Sequence, residues 1–463
     1  MRRLNKTNRL FTRFNWVLVA ILILSSCNSV VEKKSDNKTP VREIQKVETV
    51  KSDYTIPGFL KPVSTYKNGY TPEEIKEFRS NLTANSGTTA DDVGSYMASS
   101  FSAHMPSAIV HRNGDVSKLD YEPIREVSQV SATTILGTMT LEEMINDPRS
   151  RMKAIAIIHD GKIVFEEYMG IREWDNHLWA SATKIFIGIL MHKAEEDGLV
   201  NLSDPITQYI PELIGTEWEG VKVEDVLHQR SGLDVSEGRL GSSPTHPVTM
   251  LYRIAQGDKS LPKGSTLIDA IKTAEKIYEP GTRFEYASIN THLGTLILEE
   301  VHNKPMEDII TTEVWSKAGM EGDGTLAISA SGEPMAFGAY AARLRDLARF
   351  GMLFTPSWET ISHEKIVSDD YFEKAMNAAK SEIYGEDYMS KRLVKDFGED
   401  GFGASYQWDA VFEDGDMYKS GRTGQCLYVS PETNTVVVYY SSAYQAEVWV
   451  HAYAREIVKQ LFR

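Results

Sequence analysis

The sequence of 463 residues is short of cysteine, of long apolar runs and of positive charge, and each shortage closes off a class of protein. Two cysteines, Cys27 and Cys426, cannot build the disulfide framework on which small secreted domains depend. The unbroken apolar run near the start, Trp16 to Leu24, would span only about 14 Å as a helix, too short for a bilayer core of roughly 30 Å. Lysine and arginine number 50 against 65 aspartate and glutamate, a formal charge of −15 that would repel a phosphate backbone and argues against a nucleic-acid partner. The 11 histidines show no paired spacing such as His-Glu-x-x-His, so the sequence points to no metal and no other cofactor. There is no internal repeat. What remains is a globular balance, 41% apolar and 25% charged, with enough apolar residues to bury a sizeable core.

The beginning of the chain reads as an address. Arg2, Arg3, Lys6, Arg9 and Arg13 precede the short apolar run, which ends in Leu24-Ser25-Ser26-Cys27. A basic start, a short apolar stretch and small residues in that order make an export signal. The final four residues resemble the bacterial lipoprotein processing box, which implies cleavage before Cys27 and a lipid on its sulfur. Residues 1–27 are thus expected to be a lipoprotein signal, leaving the mature protein exported and held at a membrane by its lipid, in the periplasm or at the cell surface. Cys426 would then have no intrachain partner and reads as a small buried apolar residue. Residues 28–53 are rich in Lys, Glu, Asp, Ser, Thr and Asn, a composition expected to form a flexible tether.

Residues 54–150 carry a helix start at Thr71-Pro72-Glu73-Glu74 but no chemical motif, and read as an N-terminal extension packed on the main domain. The main domain is expected over 151–463. Lys153 to His159 and Lys162 to Tyr168 read as strands joined at Asp160-Gly161, a hairpin signal. The apolar stretch Ile185 to Met191 reads as a helix buried on nearly all sides, and Arg345 to Leu353 as another. Strands return at Tyr406 to Phe412, Met417 to Ser420, Gln425 to Val429 and Thr435 to Tyr440, and Tyr444 to Phe462 reads as a closing amphipathic helix. The pattern implies an α/β (α+β) domain, with one antiparallel sheet built from both ends, flanking helices and an inserted helical region.

Chemistry enters with Ser181-Ala-Thr-Lys184. A lysine three residues after a serine on a helix shares its face and can take the hydroxyl proton if desolvated. Ser-x-x-Lys alone is weak evidence, since it occurs six times, starting at Ser35, Ser64, Ser150, Ser181, Ser260 and Ser362. Only Ser181 follows a strand pair and opens a strongly apolar helix. A second element is Tyr286-Ala287-Ser288; a tyrosine beside lysines can be held as phenolate, or share a proton with one, and act as general base. The third is Lys419-Ser420-Gly421, where lysine could supply positive charge and glycine permit close approach of a substrate.

Ser-x-x-Lys, Tyr-x-Ser and Lys-Ser-Gly in this order resemble the signature of serine β-lactamases and penicillin-binding proteins. Leu227-His-Gln-Arg-Ser231-Gly232-Leu233, Pro280-Gly-Thr-Arg-Phe284-Glu-Tyr286, Arg345-Asp-Leu-Ala-Arg-Phe-Gly351 and Val429-Ser-Pro-Glu432 are similar to the words around that family's motifs. The resemblance runs from about Lys153 to the C-terminus. The tyrosine element points to class C β-lactamases, carboxylesterases, D-aminopeptidases and 6-aminohexanoate-dimer hydrolases. Ser288 stands where class C β-lactamases have asparagine, and with Gly424-Gln425 it resembles the 6-aminohexanoate branch; Lys419 is the lysine β-lactamases keep.

The resemblance implies that Ser181 is acylated, that Lys184 and Tyr286 move its proton, and that the backbone amides of Ser181 and Arg422 hold the oxyanion. Ser288, Lys419, Ser420 and Gly421 would line the substrate site, Lys419 attracting a substrate carboxylate. The expected activity is hydrolysis of a small amide or ester, with carboxylesterase, true β-lactamase or D-alanyl-peptidase as alternatives. An acylated sensor or a degenerate scaffold is the reading from a different class. The shorter Ser288 implies weak lactam turnover and some gain in Ser288→Asn, and the loop Ser236 to Lys263 is expected to shape the pocket.

Overall fold

A computed structural model describes residues 42, 44, 47–83, 86, 89–444 and 450–463. The export signal with Cys27 and most of the tether lie outside the described residues.

The hairpin forms where the sequence places it. β1 (Met152–His159) and β2 (Lys162–Tyr168) are joined at Asp160 and Gly161, both at positive φ, 48° and 76°, as a tight two-residue hairpin turn requires. From the other end of the chain come β3 (Gly403–Ser405), β4 (Trp408–Val411), β5 (Met417–Gly421), β6 (Gln425–Ser430) and β7 (Thr435–Ser441). The seven strands pair antiparallel in the order β3-β4-β5-β6-β7-β1-β2, so the two ends of the domain meet at β7 and β1, with Val437 opposite Ile157.

Alternation along these strands serves two cores. Ala154, Ala156, Ile158, Val436, Val438 and Tyr440 face the larger one, and Ile155, Ile157, Val437 and Tyr439 the other. A sheet covered on both faces explains why its strands read as continuous apolar runs. The larger core receives α2 (Ile185–Glu196), α4 (Ser288–His302) and α5 (Leu344–Met352); the other receives α6 (Ala452–Ile457). Cys426 is buried in the second core.

Two expectations are corrected. The strand read as Tyr406 to Phe412 is shortened to Trp408–Val411, because Tyr406 and Gln407 sit at φ 46° and 69° and form the β3–β4 turn. That turn faces inward, and Gln407 is satisfied by Gln229 Nε2 at 2.7 Å and Thr291 Oγ1 at 2.7 Å, both donating to its amide oxygen. Of the helix read as Tyr444 to Phe462, Ala452–Ile457 is α-helical and Val458–Phe462 continues as a wider π turn, while residues 445–449 lie outside the described residues.

The extension is built into the same compact unit. Thr71 and Glu74 form the capping box that starts the helix Pro72–Asn81. Ser107–Val110 pairs with Gly324–Ala327 in a four-stranded sheet that also holds Tyr340–Ala342 and His177–Leu178, directly before Ser181. Within the extension, α1 (Asp92–Ser99) is capped by Asp91, whose carboxylate accepts from Gly94 N at 2.7 Å. The loop expected to shape the pocket contains a short 3₁₀ turn, Glu237–Arg239, and α3 (Pro247–Ala255).

Candidate active site

Ser181 and Lys184 lie on a 3₁₀ turn, Ala180–Lys184, that precedes α2; the α-helix itself begins at Ile185. In a 3₁₀ helix residues three apart eclipse each other, so the tighter turn stacks the lysine directly over the serine. Lys184 Nζ stands 3.4 Å from Ser181 Oγ and 2.8 Å from Ser288 Oγ, and also donates to the Phe337 carbonyl. The turn is entered through Ala180 at φ 48°, a left-handed conformation that costs a non-glycine residue roughly 1–3 kcal/mol. Thr183 Oγ1 donates to the Ala180 carbonyl at 2.6 Å and Trp179 N to the Tyr340 carbonyl at 2.7 Å, which hold the strained entry in place.

Tyr286 is set by the loop around Gln229. Glu285 N donates to the Gln229 carbonyl at 2.8 Å and Ala287 N to the Gln229 side chain at 2.9 Å, gripping the backbone on both sides of the tyrosine. The Tyr286 phenol is a hydrogen-bond neighbour of Ser181, and burial, with Asp409 and Glu237 nearby, pushes it well above its ordinary value. This surrounding disfavours the phenolate and favours a shared proton. Two lysine amines lie near its ring, Lys419 Nζ 4.5 Å and Lys184 Nζ 5.4 Å from the centroid.

Lys419 is fully buried. It pairs with Asp409 of β4 and donates to the Tyr286 hydroxyl at 3.2 Å. The other Asp409 oxygen accepts from Ser420 N at 2.8 Å and Ser420 Oγ at 2.6 Å. Lys419 is therefore placed to act on Tyr286. Gly421 is required for a different reason from the one expected. A Cβ there would meet the Trp179 carbonyl at 2.5 Å, so glycine lets β5 close on the chain leading into Ser181.

A cavity of about 820 Å³ opens over this cluster. Ser181, Tyr286, Ser420 and Arg422 line it, whereas Lys184, Ser288, Lys419 and Gly421 lie behind its wall. Sequence reasoning missed Asp409, Glu237 and Tyr252. Asp409 carried a signal, a carboxylate between Trp408 and Ala410 in an otherwise apolar strand. Glu237 and Tyr252 lie in the loop Ser236 to Lys263, whose part in the pocket was legible though its residues were not. Ser288 Oγ donates to Glu237, and Tyr252 Oη lies 3.2 Å from Ser288 Oγ and donates to Glu237 at 3.1 Å.

Glu237 and Tyr252 thus stand against the short Ser288 side chain. The larger amide would displace Glu237 or Tyr252 and strip Lys184 of a partner. Ser288→Asn is expected to lower turnover of any accepted ester by about tenfold or more and to gain no nitrocefin cleavage, measured by steady-state kinetics of both proteins.

An antiparallel sheet between helical layers, with a Ser-x-x-Lys turn beside one of its strands, is the β-lactamase and transpeptidase architecture. Residues 148–458 match the family model described as Beta-lactamase, and the chain belongs to that family, one of hydrolases sharing this fold. Its similarity to a 6-aminohexanoate-dimer hydrolase of Paenarthrobacter ureafaciens is 25% identity over 344 residues, covering 73% of this chain and 82% of the relative. A structure from Bacillus anthracis, named provisionally as a 6-aminohexanoate-dimer hydrolase, superposes with a TM-score of 0.67 at 19% identity, over 80% of this chain and 95% of that one. EstCE1, described as a hydrolase with promiscuous acyltransferase activity, shares the fold with a TM-score of 0.52 at 16% identity, over 70% of this chain and 96% of its own.

Proposed function

We propose that the protein hydrolyses a small carboxylic amide or ester through an acyl-Ser181 intermediate. The observation that carries this reading is the convergence of Ser181 and Tyr286 on the cavity wall with Lys184 and Ser288 directly behind it, two residues from each of two distant motifs. Lys184 Nζ, which also donates to Ser288 Oγ and the Phe337 carbonyl, is the amine within reach of Ser181 Oγ, at 3.4 Å.

In the acylation step Ser181 Oγ bonds to the substrate carbonyl carbon as its proton passes to Lys184. The amides of Ser181 and Arg422 receive the oxyanion, as the family resemblance implies. Collapse breaks the bond to the leaving nitrogen or oxygen, which takes the proton through Tyr286, a phenol that can give one proton while accepting another. Water then attacks the acyl-serine by the same route in reverse. The amide side of the reading is supported by the relative named for 6-aminohexanoate dimer, a linear amide.

The test is a fluorescent serine-reactive fluorophosphonate followed by a substrate panel of p-nitrophenyl esters, D-amino-acid amides, linear amide oligomers and nitrocefin. Labelling at Ser181, with turnover of an ester or linear amide, is the expected result. Labelling without turnover of any of them would favour an acylated sensor, and no labelling a scaffold.

We also propose that Cys27 carries a lipid that holds the protein at a membrane, on the strength of the basic start, the short apolar run and Leu24-Ser-Ser-Cys27. Cys27→Ala is expected to move the protein from the membrane fraction to the soluble exported fraction and to end incorporation of labelled fatty acid. A wild type that takes up no label would sink this reading.

A further inference from the structure

One wall of the cavity comes from outside the matched family region. Met97 and Phe101, from α1 and the turn after it, and Met105 just beyond line the same cavity as Ser181. Beyond the extension the lining includes Leu178, Met335 and Phe337. None of these six side chains carries a charge or a strong hydrogen-bonding group, so together they offer a polar substrate group no partner; Thr89 is the polar residue among the extension's lining. Half of them are methionine, whose unbranched, polarizable chain adapts to ligands of varied shape.

The wall is fixed to the catalytic sheet. Lys153, buried in β1, donates to the Ser95 carbonyl at 2.9 Å and to Ser99 Oγ at 2.5 Å, both on α1. Arg151, also buried, pairs with Asp92 at 3.2 Å and donates to the Lys61 carbonyl at 2.9 Å. Two buried basic side chains that bond to α1 or its first residue, plus the pairing of Ser107–Val110 with Gly324–Ala327, fix the extension as a side of the cavity. A volume of about 820 Å³ lies within the range of pockets that enclose a whole small ligand.

We infer that the extension supplies an apolar subsite that seats the hydrocarbon chain on the acyl side of the substrate. The inference rests on the acyl-Ser181 reading and narrows it: the preferred substrates are amides or esters of linear, medium-chain aliphatic acids, not acetyl esters or polar acyl groups. Each methylene seated against this wall adds to transition-state binding, about fourfold in kcat/KM per methylene where burial is complete.

The experiment is a chain-length series of p-nitrophenyl esters from acetate to dodecanoate, with the full exported chain. Expected is a rise in kcat/KM of on the order of 100-fold from acetate to about octanoate. In Met105→Glu and Met105→Gln, the octanoate-to-acetate ratio should fall by at least about tenfold, more in the charged variant, with unchanged circular dichroism showing that both are folded. Competitive inhibition by octylboronic acid but not by methylboronic acid gives the same ordering without turnover. Ester cleavage with a flat or falling series, or a ratio unmoved by both variants, would overturn the subsite while leaving the acyl-serine reading intact. No cleavage of any ester and no fluorophosphonate labelling would remove both.

Discussion

Ser181→Ala is expected to abolish turnover of every accepted substrate, with kcat falling on the order of 10⁴-fold or more. Its hydroxyl combines exposure to the cavity, a lysine amine at 3.4 Å and a phenol as hydrogen-bond neighbour. The fold should survive, because removing one hydroxyl at a partly accessible site costs about 1 kcal/mol. Two other serines of the Ser-x-x-Lys pattern serve as controls. Ser150 Oγ accepts from Met152 N at 3.4 Å and Ser362 Oγ donates to the Glu364 carbonyl at 2.8 Å; both are local turn contacts away from the cavity lining. Ser150→Ala and Ser362→Ala should therefore keep near-normal activity. Retained turnover in folded Ser181→Ala, or an equal loss in either control, would mean that the nucleophile lies elsewhere.

Asp409→Ala is expected to give the largest loss of stability of any single change near the site. Asp409 and Lys419 are 1% and 0% exposed, so deleting the carboxylate leaves a buried ammonium without its counter-charge and two Ser420 donors without their acceptor. Breaking such a pair from one side costs about 3–5 kcal/mol. Any folded fraction should turn over about 10²-fold more slowly, since Lys419 then no longer fixes the Tyr286 hydroxyl. The informative companion is Asp409→Asn with Lys419→Met, which removes both charges. It should recover most of the stability but none of the activity, because the positive group beside Tyr286 is still gone. Denaturant midpoints and kcat measured on the three proteins decide this. If Asp409→Ala is as stable as wild type, the pair is not the support described here.

Much of the site was legible because its chemistry is written in short-range spacing. Ser181 and Lys184 are three residues apart on one turn, so their meeting needs only local backbone geometry. Tyr286-Ala287-Ser288 and Lys419-Ser420-Gly421 could be recognised as words, and their order tied them to the first motif. Burial could not be read in the same way. Lys419 and a solvated strand lysine look alike in a sequence, and only the β4–β5 pairing reveals that Asp409, ten residues earlier, holds its charge. The same holds for Ser288, whose short side chain reads as a gap until Glu237 and Tyr252, 51 and 36 residues away, are seen to fill it.

The sequence by itself determined most strands of the sheet and the members of the candidate cluster, because strand alternation, hairpin turns and a helical three-residue spacing act within a few residues. Tertiary structure decided which groups face the cavity and which stand behind it, and it made residues 89–105 a wall of that cavity. Those outcomes depend on strands closing around one another and on buried charges finding partners far away in the chain. No local pattern encodes them, since the free energy that selects them comes from desolvation and packing of the whole fold.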